Sequence, residues 1–183
     1  SQNPATMSAS IVGLRKLGSD QAKQRLAELT DSHYDESVRQ SATTALAELG
    51  DRNYCSRMLQ VMNLRQGYTS GIAARGAGLL CGETAIPQLL SLLSATPAGI
   101  PSYEIAYALG NTASRNAEPA LIELLRNSDA DVRRASREAL YTLTHRLSDD
   151  ESIPDEYQEW SSWWALQGKT AQTFGPAECP EMQ

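Results

Sequence analysis

A segment that ends in an apolar residue and a helix stop recurs along the chain at intervals close to 30 residues. With Leu17, Leu49, Cys81, Leu109 and Leu143 taken as anchors, the steps are 32, 32, 28 and 34 residues. Four of the five anchors are followed directly by glycine, the residue that most easily takes the left-handed conformation that closes a helix. A period of this length predicts repeated units that stack on one another and form a single elongated core.

A second helical stretch precedes each of the later anchors. The apolar positions of residues 87–93 (PQLLSLL) match those of residues 119–125 (PALIELL), and both stretches begin with proline, which is well tolerated in the first turn of a helix. In the two earlier units, Leu26 and Leu29, and likewise Met58 and Val61, occupy two of these matching apolar positions. Since neither helix of such a pair can bury its apolar face alone, we predict an all-α solenoid of about four and a half helix pairs over residues 5–146.

Composition supports this prediction. The 183 residues include 24 Ala and 22 Leu but only 4 Val, 7 Ile and 1 Phe, so strong helix formers dominate and strand-favouring residues are scarce. An all-β or doubly wound α/β domain is therefore disfavoured. The hydrophobic fraction of 41% and the charged fraction of 21% are typical of a globular chain rather than a disordered one.

The most regular unit, residues 119–140 (PALIELLRNSDADVRRASREAL), resembles the HEAT repeat family, in particular its bacterial, PBS-lyase-type members. The resemblance covers residues 5–146 and implies a right-handed α-α superhelix, similar to armadillo arrays, whose second helices line a concave surface. It says little about activity, because one repeat fold carries scaffolds, adaptors and a few enzymes. In the middle of the chain, Ser70–Gly71 replaces the Val–Arg of other units and residues 97–101 replace the usual turn, so we expect a bend or a widened groove there.

The resemblance also implies roles for two arginines. Arg39 and Arg133 match the arginine that braces neighbouring loops in the family, and Asp31 and Asn127 lie near the positions of its loop-bracing acid. We expect these four residues to be structural.

A helical wheel sorts the faces of each second helix. Counting back from the anchor, positions zero, three, four, seven and eleven fall within one arc, which we predict to be core. By the resemblance, the flank at positions one, five, eight and nine looks into the groove, and its apolar centre with polar ends is typical of a protein interface. The candidate protein-binding residues on this flank are Gln40, Thr44, Ile72, Gly76, Leu80, Ile100, Glu104, Arg134 and Glu138. The alternative is that a neighbouring helix or the C-terminal tail covers them.

The opposite flank is rich in arginine and tyrosine. Its members Arg75, Tyr103, Tyr107, Arg137 and Tyr141 could align across three units as cation–π layers. Inter-repeat packing, with tyrosine rings buried and hydroxyls reaching water, is the role that we expect for them.

Residues 147–183 are predicted to comprise an acidic linker, a capping helix and an irregular tail. All three tryptophans, Trp160, Trp163 and Trp164, lie at helical spacing i, i+3 and i+4. Because a solenoid needs its last apolar face closed, we expect this helix to cap the end formed by Leu140 and Leu143. A platform for a partner or a carbohydrate is the alternative.

Charge and motifs argue against several function classes. The net charge of −6, from 16 Lys and Arg against 22 Asp and Glu, disfavours nucleic acid as a partner. No run of 18 apolar residues occurs, so we predict no membrane insertion. The two histidines, His33 and His145, lack the His–Glu pairs of the di-iron HEAT-repeat hydroxylases, and no phosphate loop or catalytic triad motif is present. We therefore expect no cofactor, no metal and no enzymatic activity.

The cysteines and the chain start bear on compartment. Cys55 and Cys81 lie at apolar helix positions and are expected to be small core residues, whereas Cys179 is either free or paired with one of them. The chain begins Ser1-Gln2 without methionine, which favours a processed, exported or periplasmic bacterial protein over a cytoplasmic one.

These observations favour a non-enzymatic interaction scaffold or adaptor that binds a protein or peptide on the concave face. Two alternatives stay open. One is an enzyme that resembles the HEAT-like bilin lyases or isomerases of phycobiliproteins, with Tyr and Arg side chains for the tetrapyrrole propionates. The other is an assembly chaperone or structural domain of a larger exported protein. The sequence does not settle the oligomeric state.

Overall fold

The computed structural model describes residues 4–31, 33–64, 67–94, 100–144 and 157–168, and every regular element within these ranges is helical. The α-helices are α1 (Pro4–Leu17), α2 (Asp20–Glu28), α3 (Glu36–Glu48), α4 (Cys55–Asn63), α5 (Gly67–Cys81), α6 (Ile86–Ser94), α7 (Ser102–Asn111), α8 (Glu118–Leu124), α9 (Ala130–Thr144) and α10 (Tyr157–Trp163). Short 3-10 turns lead into α4, α6 and α8, and a π-helical turn, Trp164–Gly168, follows α10.

The helices form two rows. Helices α1, α3, α5, α7 and α9 contact one another in series, and α2, α4, α6 and α8 each pack against the helix that follows. The repeating units are therefore the pairs α2–α3, α4–α5, α6–α7 and α8–α9, preceded by α1 in the place of a second helix. This arrangement confirms the predicted all-α solenoid, including its extra half pair.

The predicted arc of each second helix forms the core. In α3, Val38, Ala42 and Leu46 are buried, and in α9 Val132 and Leu140 are buried. The first helices contribute Leu26, Met58, Val61, Leu89 and Leu121 to the same interior. Burial of this one continuous cluster, at roughly 25 cal/mol per Å² of apolar surface, is what holds the pairs in register.

Glycine closes three of the second helices, as the anchors predicted. Gly18, Gly50 and Gly82 have φ angles of 57°, 67° and 59°. The expectation for Gly110 is wrong, because α7 runs on to Asn111 and Ala113 takes the left-handed conformation, with φ of 52°. Gly110 instead lies so close to α9 that a Cβ atom there would be 2.7 Å from the Cβ of Ala139.

Helix α5 is built largely of small residues, and this explains its departure from the Val–Arg pattern. The Ser70 hydroxyl donates to the Val61 carbonyl oxygen at 3.1 Å, which ties α5 to α4. Gly71 leaves room for Glu104, whose Cγ would be 3.0 Å from a Cβ at this position. At Gly78 an added Cβ would overlap the carbonyl oxygen of Ala108. The backbones of α5 and α7 are therefore in direct contact.

A disulfide joins Cys55, at the start of α4, to Cys81, at the end of α5. The Cα atoms are 5.0 Å apart, within the range that a disulfide spans. The expectation that these two cysteines are separate small core residues, or that either pairs with Cys179, is therefore wrong. An antiparallel helix pair brings the start of its first helix beside the end of its second, and this juxtaposition makes the bond possible.

Helix α10 closes the C-terminal end of the array. Trp160 is 0% exposed and belongs to the same core cluster as Leu140 and Leu143, which excludes this side chain as a surface platform. Its ring lies 5.9 Å from that of Tyr141 and 5.3 Å from that of Trp163. The predicted tryptophan cap is thus present in the structure.

The cap is also attached to α8, which sequence reasoning did not anticipate. The Tyr157 hydroxyl donates to Glu123 at 2.9 Å, and the Arg126 guanidinium lies 5.0 Å from the centroid of the Tyr157 ring. Arg115 lies over the ring of Trp163, at 5.6 Å, and donates to the buried carboxylate of Glu118 at 2.6 Å. Helix α10 therefore extends the row of first helices by one place.

The stretch Gly67–Ser94 is long and apolar enough, by length and composition alone, to cross a membrane, with a mean hydropathy of 1.2 in its most apolar window. The prediction of no membrane insertion rests on a different feature, the lack of an uninterrupted run of 18 apolar residues. In the structure the chain breaks between α5 and α6 at Gly82, whose φ is 59°. The buried side chains Ala73, Ala77 and Leu89 face the solenoid interior, and 39% of the most apolar window is buried, so core packing accounts for part of the apolar character.

Several predictions fall outside the described residues. These are the turn at residues 97–99, His145, most of the acidic linker, the irregular tail and Cys179.

Candidate functional site

A groove of about 690 Å³ opens on the row of second helices, lined by residues of α1, α3, α5 and α7. Six large apolar side chains are exposed among the described residues, and three of them, Val12, Tyr68 and Leu79, line this groove. Ile72, half-buried, lies among them. The groove therefore has an apolar floor that no described part of the chain covers.

The groove contains some of the predicted binding residues and not others. Gln40, Thr44, Ile72, Gly76 and Glu104 line it. Ile100, Arg134 and Glu138 are not among its lining residues. Ile100 packs against the core, Arg134 donates to Asp131, and Glu138 accepts a hydrogen bond from Tyr107.

Leu80 is a correction to the predicted binding surface, because it is 3% exposed whereas Leu79 is 52% exposed. Successive helical residues are rotated by about 100°. Leu80, one position before the anchor Cys81, therefore lies at the side of α5, where neighbouring helices cover it. Leu79, two positions before the anchor, lies nearly opposite the core and faces the groove.

Gly76 and Glu104 line the groove but are themselves buried. A Cβ atom at Gly76 would be 2.8 Å from Sδ of Met58 and 3.1 Å from Cβ of Ala47, so this glycine permits close packing of α5 on α3 and α4. The primary role of Gly76 and Glu104 is therefore to shape the floor of the groove. Sequence reasoning missed Val12, Tyr68, Leu79 and Arg75 as groove residues. For Leu79 a signal was available, because it lies two positions before the anchor Cys81 and nearly opposite the core.

Two ion pairs cross the groove between neighbouring second helices. Arg15 of α1 pairs with Glu48 of α3, and both side chains are largely exposed. Arg75 of α5 pairs with Glu104 of α7, whose carboxylate is nearly fully buried. Each positive charge in the groove thus has a negative partner, and the groove carries no net charge from these four groups.

The tyrosine and arginine flank forms part of the same network. The Arg75 guanidinium lies 4.5 Å from the centroid of the Tyr107 ring, and the Tyr107 hydroxyl donates to Glu138 of α9 at 2.9 Å. Burial, followed by the hydrogen bond to Glu138, raises the pKa of Tyr107. These contacts join α5, α7 and α9, in agreement with the expected inter-repeat packing, and the alternative of a cation–π contact is present at one layer.

The loop-bracing prediction is confirmed for Arg133, which donates from Nη1 to the carbonyl oxygens of Asn127 at 2.8 Å and Ser128 at 2.9 Å. In the turn after α2, Asp31 accepts from Arg57 of α4, which also donates to the Thr30 hydroxyl at 2.7 Å. Arg57 thus ties the pair α2–α3 to the pair that follows it.

The groove presents both apolar and polar contacts to a ligand. Within the part of the chain that the structure describes, no group of three or more His, Cys, Asp or Glu side chains could hold a metal ion. The arrangement combines an apolar floor, two charge pairs and the polar side chains of Gln40, Thr44 and Asn111 at its edges. Such a surface can bury apolar side chains and satisfy the polar groups beside them.

Comparison with known families supports the fold. Residues 103–127 match the PBS lyase HEAT-like repeat. The match spans most of α7, the following turn and α8, and it overlaps the regular unit recognised in the sequence at residues 119–140. No curated protein gives a significant match. The chain therefore carries a HEAT-like repeat.

Proposed function

We propose that this helical repeat chain is a non-enzymatic binding module that holds a protein or peptide in the groove across α1, α3, α5 and α7. The observation that carries the proposal is the cluster of exposed apolar side chains Val12, Tyr68 and Leu79 on the floor of that groove. Contiguous exposed apolar surface with a polar rim is typical of protein interaction sites.

The balance of charge supports a partner with an apolar contact surface. Arg15 and Glu48 are paired at one side of the floor, and Arg75 and Glu104 are paired at the other. A highly charged ligand would have to separate these pairs, whereas an apolar side chain can enter between them. Full burial of one leucine-sized side chain contributes about 1.5–3 kcal/mol, so apolar anchors on this floor would supply a large share of the binding energy.

The experiment uses charge substitutions on the floor. Leu79→Asp and Ile72→Asp should each abolish capture of the partner in a pull-down, since both place a carboxylate where apolar contact is required. Leu64→Asp is the matched control, because Leu64 is comparably exposed but lies outside the groove. Helical circular dichroism should be unchanged in all three variants. Leu80→Asp would not serve, because Leu80 is buried and its loss would perturb the fold.

Unchanged capture by both Leu79→Asp and Ile72→Asp would refute the groove as the binding site. Loss of capture in Leu64→Asp as well would show that the effect is not specific to the groove.

The name of the matched repeat favours a second candidate function, an enzyme similar to the bilin lyases or isomerases. In that case Arg15 and Arg75 are the groove cations available for the propionates of a tetrapyrrole. Addition of bilin to the purified protein should then shift the bilin absorbance spectrum, and Arg75→Ala should reduce the shift. No shift with the wild-type chain would remove this candidate.

A further inference from the structure

The guanidinium of Arg75 is held in one orientation by two side chains of α7. Its Nε group donates to the carboxylate of Glu104, which is 3% exposed, and its Cζ atom lies 4.5 Å from the centroid of the Tyr107 ring. A planar guanidinium that is hydrogen-bonded along one edge and stacked on one face has little freedom to turn. Arg75 is therefore presented to the groove in a defined geometry.

The terminal edge of this guanidinium is open. The Arg75 side chain is 43% exposed and lines the groove, and its two Nη groups donate to no acceptor among the residues that the structure describes. Four of the five N–H groups of an arginine lie on these two nitrogens. A partner that covers the groove floor removes the solvent to which they can donate, and a buried donor without an acceptor costs free energy. The partner therefore has to bring an acceptor to this edge.

The other arginine of the groove is less prepared for such a contact. Arg15 donates to Glu48 from Nη1, so its terminal edge is already engaged. Both side chains of this pair are about half exposed, at 43% and 49%, and none of the described aromatic rings lies over Arg15. Arg75 is consequently the groove cation that can take a further acceptor without losing its present one.

A carboxylate fits the open edge of Arg75 best. Its two oxygens match two parallel N–H groups of the guanidinium, and such charge-assisted, bidentate bonds are shorter and stronger than a bond to a neutral carbonyl. A single carboxylate also leaves the pair of Arg75 with Glu104 intact, because that pair uses Nε.

Apolar side chains flank Arg75 in both directions along α5. Ile72 lies three residues before it and Leu79 four residues after it, so the three lie on one face of the helix, and all of them line the groove. The rise per residue separates the two apolar positions by about 10 Å along the helix axis. A bound segment that contacts both continues past Arg75 on each side, so its carboxylate belongs to a side chain within the segment rather than to its C-terminus.

We infer that the partner segment held in the groove carries an aspartate or glutamate that binds the Nη edge of Arg75, with apolar residues on either side of it that contact Ile72 and Leu79. This inference rests on the proposed function and adds to it the chemistry of the partner.

Selection of displayed random peptides on the full-length chain supplies the probe. The relevant binders are those lost with Leu79→Ser, which removes the apolar contact without adding a charge. These binders should share one acidic residue with apolar residues within about four positions on both sides. The tightest of them, synthesised with an acetylated and an amidated end, should bind at least tenfold more weakly when its acid is changed to the corresponding amide. Isothermal titration calorimetry measures the dissociation constants.

A double-mutant cycle assigns the contact to Arg75. The variant Arg75→Gln with Glu104→Gln removes both charges together, and its two amides can still hydrogen-bond, so its helical circular dichroism should match wild type. In this variant the acid-to-amide change in the peptide should cost less than twofold. Arg15→Gln with Glu48→Gln is the matched control, because it removes the other groove pair, and it should keep the loss of at least tenfold.

Arg75→Lys is the second variant, and it serves if the double variant does not fold. It keeps a positive charge beside Glu104 but lacks the planar fork, so the acid-to-amide change should again cost severalfold less than in wild type.

The outcomes separate this inference from the proposed function. Selected peptides that bind equally well to Leu79→Ser would contradict the groove as the binding site. Peptides that need Leu79 but tolerate the acid-to-amide change, or that bind only with a free C-terminal carboxylate, would leave the groove as a binding site and overturn the inference about Arg75. An acid that contributes as much in the Arg75 variants as in wild type would overturn it as well.

Discussion

The guanidinium of Arg75 lies 4.5 Å from the centre of the Tyr107 ring and at the same time pairs with the carboxylate of Glu104. Glu104 is 3% exposed, so its charge depends on this arginine for compensation. The Tyr107 hydroxyl in turn donates a hydrogen bond to Glu138 of α9 at 2.9 Å. One arginine therefore couples three successive repeats beside the groove.

Arg75→Ala should lower the free energy of unfolding by about 1–3 kcal/mol, because it leaves the Glu104 carboxylate buried without its donor. Arg15→Ala is the control, because the pair of Arg15 with Glu48 is largely exposed on both sides, and its loss should cost at most about 1 kcal/mol. Urea titrations followed by circular dichroism measure both values. Equal losses in the two variants would contradict the structural importance assigned to Arg75.

Gly78→Ala should destabilise the chain by several kcal/mol, since the added methyl group would overlap the Ala108 carbonyl oxygen and force α5 from α7. Gly13→Ala, in the open face of α1, should instead stabilise by about 0.5–1 kcal/mol, because alanine is the better helix former and nothing lies within 4 Å. Thermal melts of the two variants should therefore shift in opposite directions. A neutral Gly78→Ala would show that these helices are not in backbone contact.

The oxidised chain should contain one free thiol in denaturant, that of Cys179, because the other two of its three cysteines form the Cys55–Cys81 disulfide. Reduction, or the double variant Cys55→Ser with Cys81→Ser, should lower stability by about 2–4 kcal/mol. Cys179→Ser should leave Tm unchanged. Three reactive thiols in the protein isolated without reductant would contradict the bond, whereas one thiol would support the expectation of an exported protein, since such bonds persist in oxidising compartments.

Burial raises the pKa of Glu118 above its ordinary value of 4.5, in spite of its hydrogen bonds from Arg115. Between the two pKa values the folded chain holds a proton that the unfolded chain releases, so stability falls as pH rises above about 4.5. Glu118→Gln removes this penalty and should raise Tm at neutral pH, with little difference below pH 4.5. A variant that is less stable than wild type at neutral pH would show that the Arg115 pair outweighs the cost of burial.

Much of the architecture could be predicted from periodicity. The anchors identified the five second helices because a buried face must recur wherever one pair stacks on the next. The tryptophan cap was predictable for the same reason, as an array needs closure and Trp160 stands in the first helix beyond the last pair. Boundaries were less certain, and Gly110 is an example, because a glycine signals a stop and a close contact equally well.

The groove residues were harder to predict, and α5 shows why. A helical wheel treats every flank of a helix as equally accessible. In α5, however, the glycines and alanines allow the neighbouring helices to pack so closely that Gly76 and Leu80 are buried. Among the apolar residues of this helix, those nearly opposite the core, such as Leu79, stay exposed. The Cys55–Cys81 bond was within reach of the sequence, since the two cysteines begin and end one helix pair, but the 26-residue separation alone does not reveal it.

Helix α5 also has a consequence for how recognition can change over evolutionary time. Its buried positions hold mostly glycine and alanine, whereas Tyr68, Ile72, Arg75 and Leu79 lie between them and line the groove. Three of those four can be exchanged without altering how the units nest, and the fourth, Arg75, also anchors its neighbour. New ligand preferences can therefore arise through exposed side chains of this helix while its buried glycine and alanine positions are conserved.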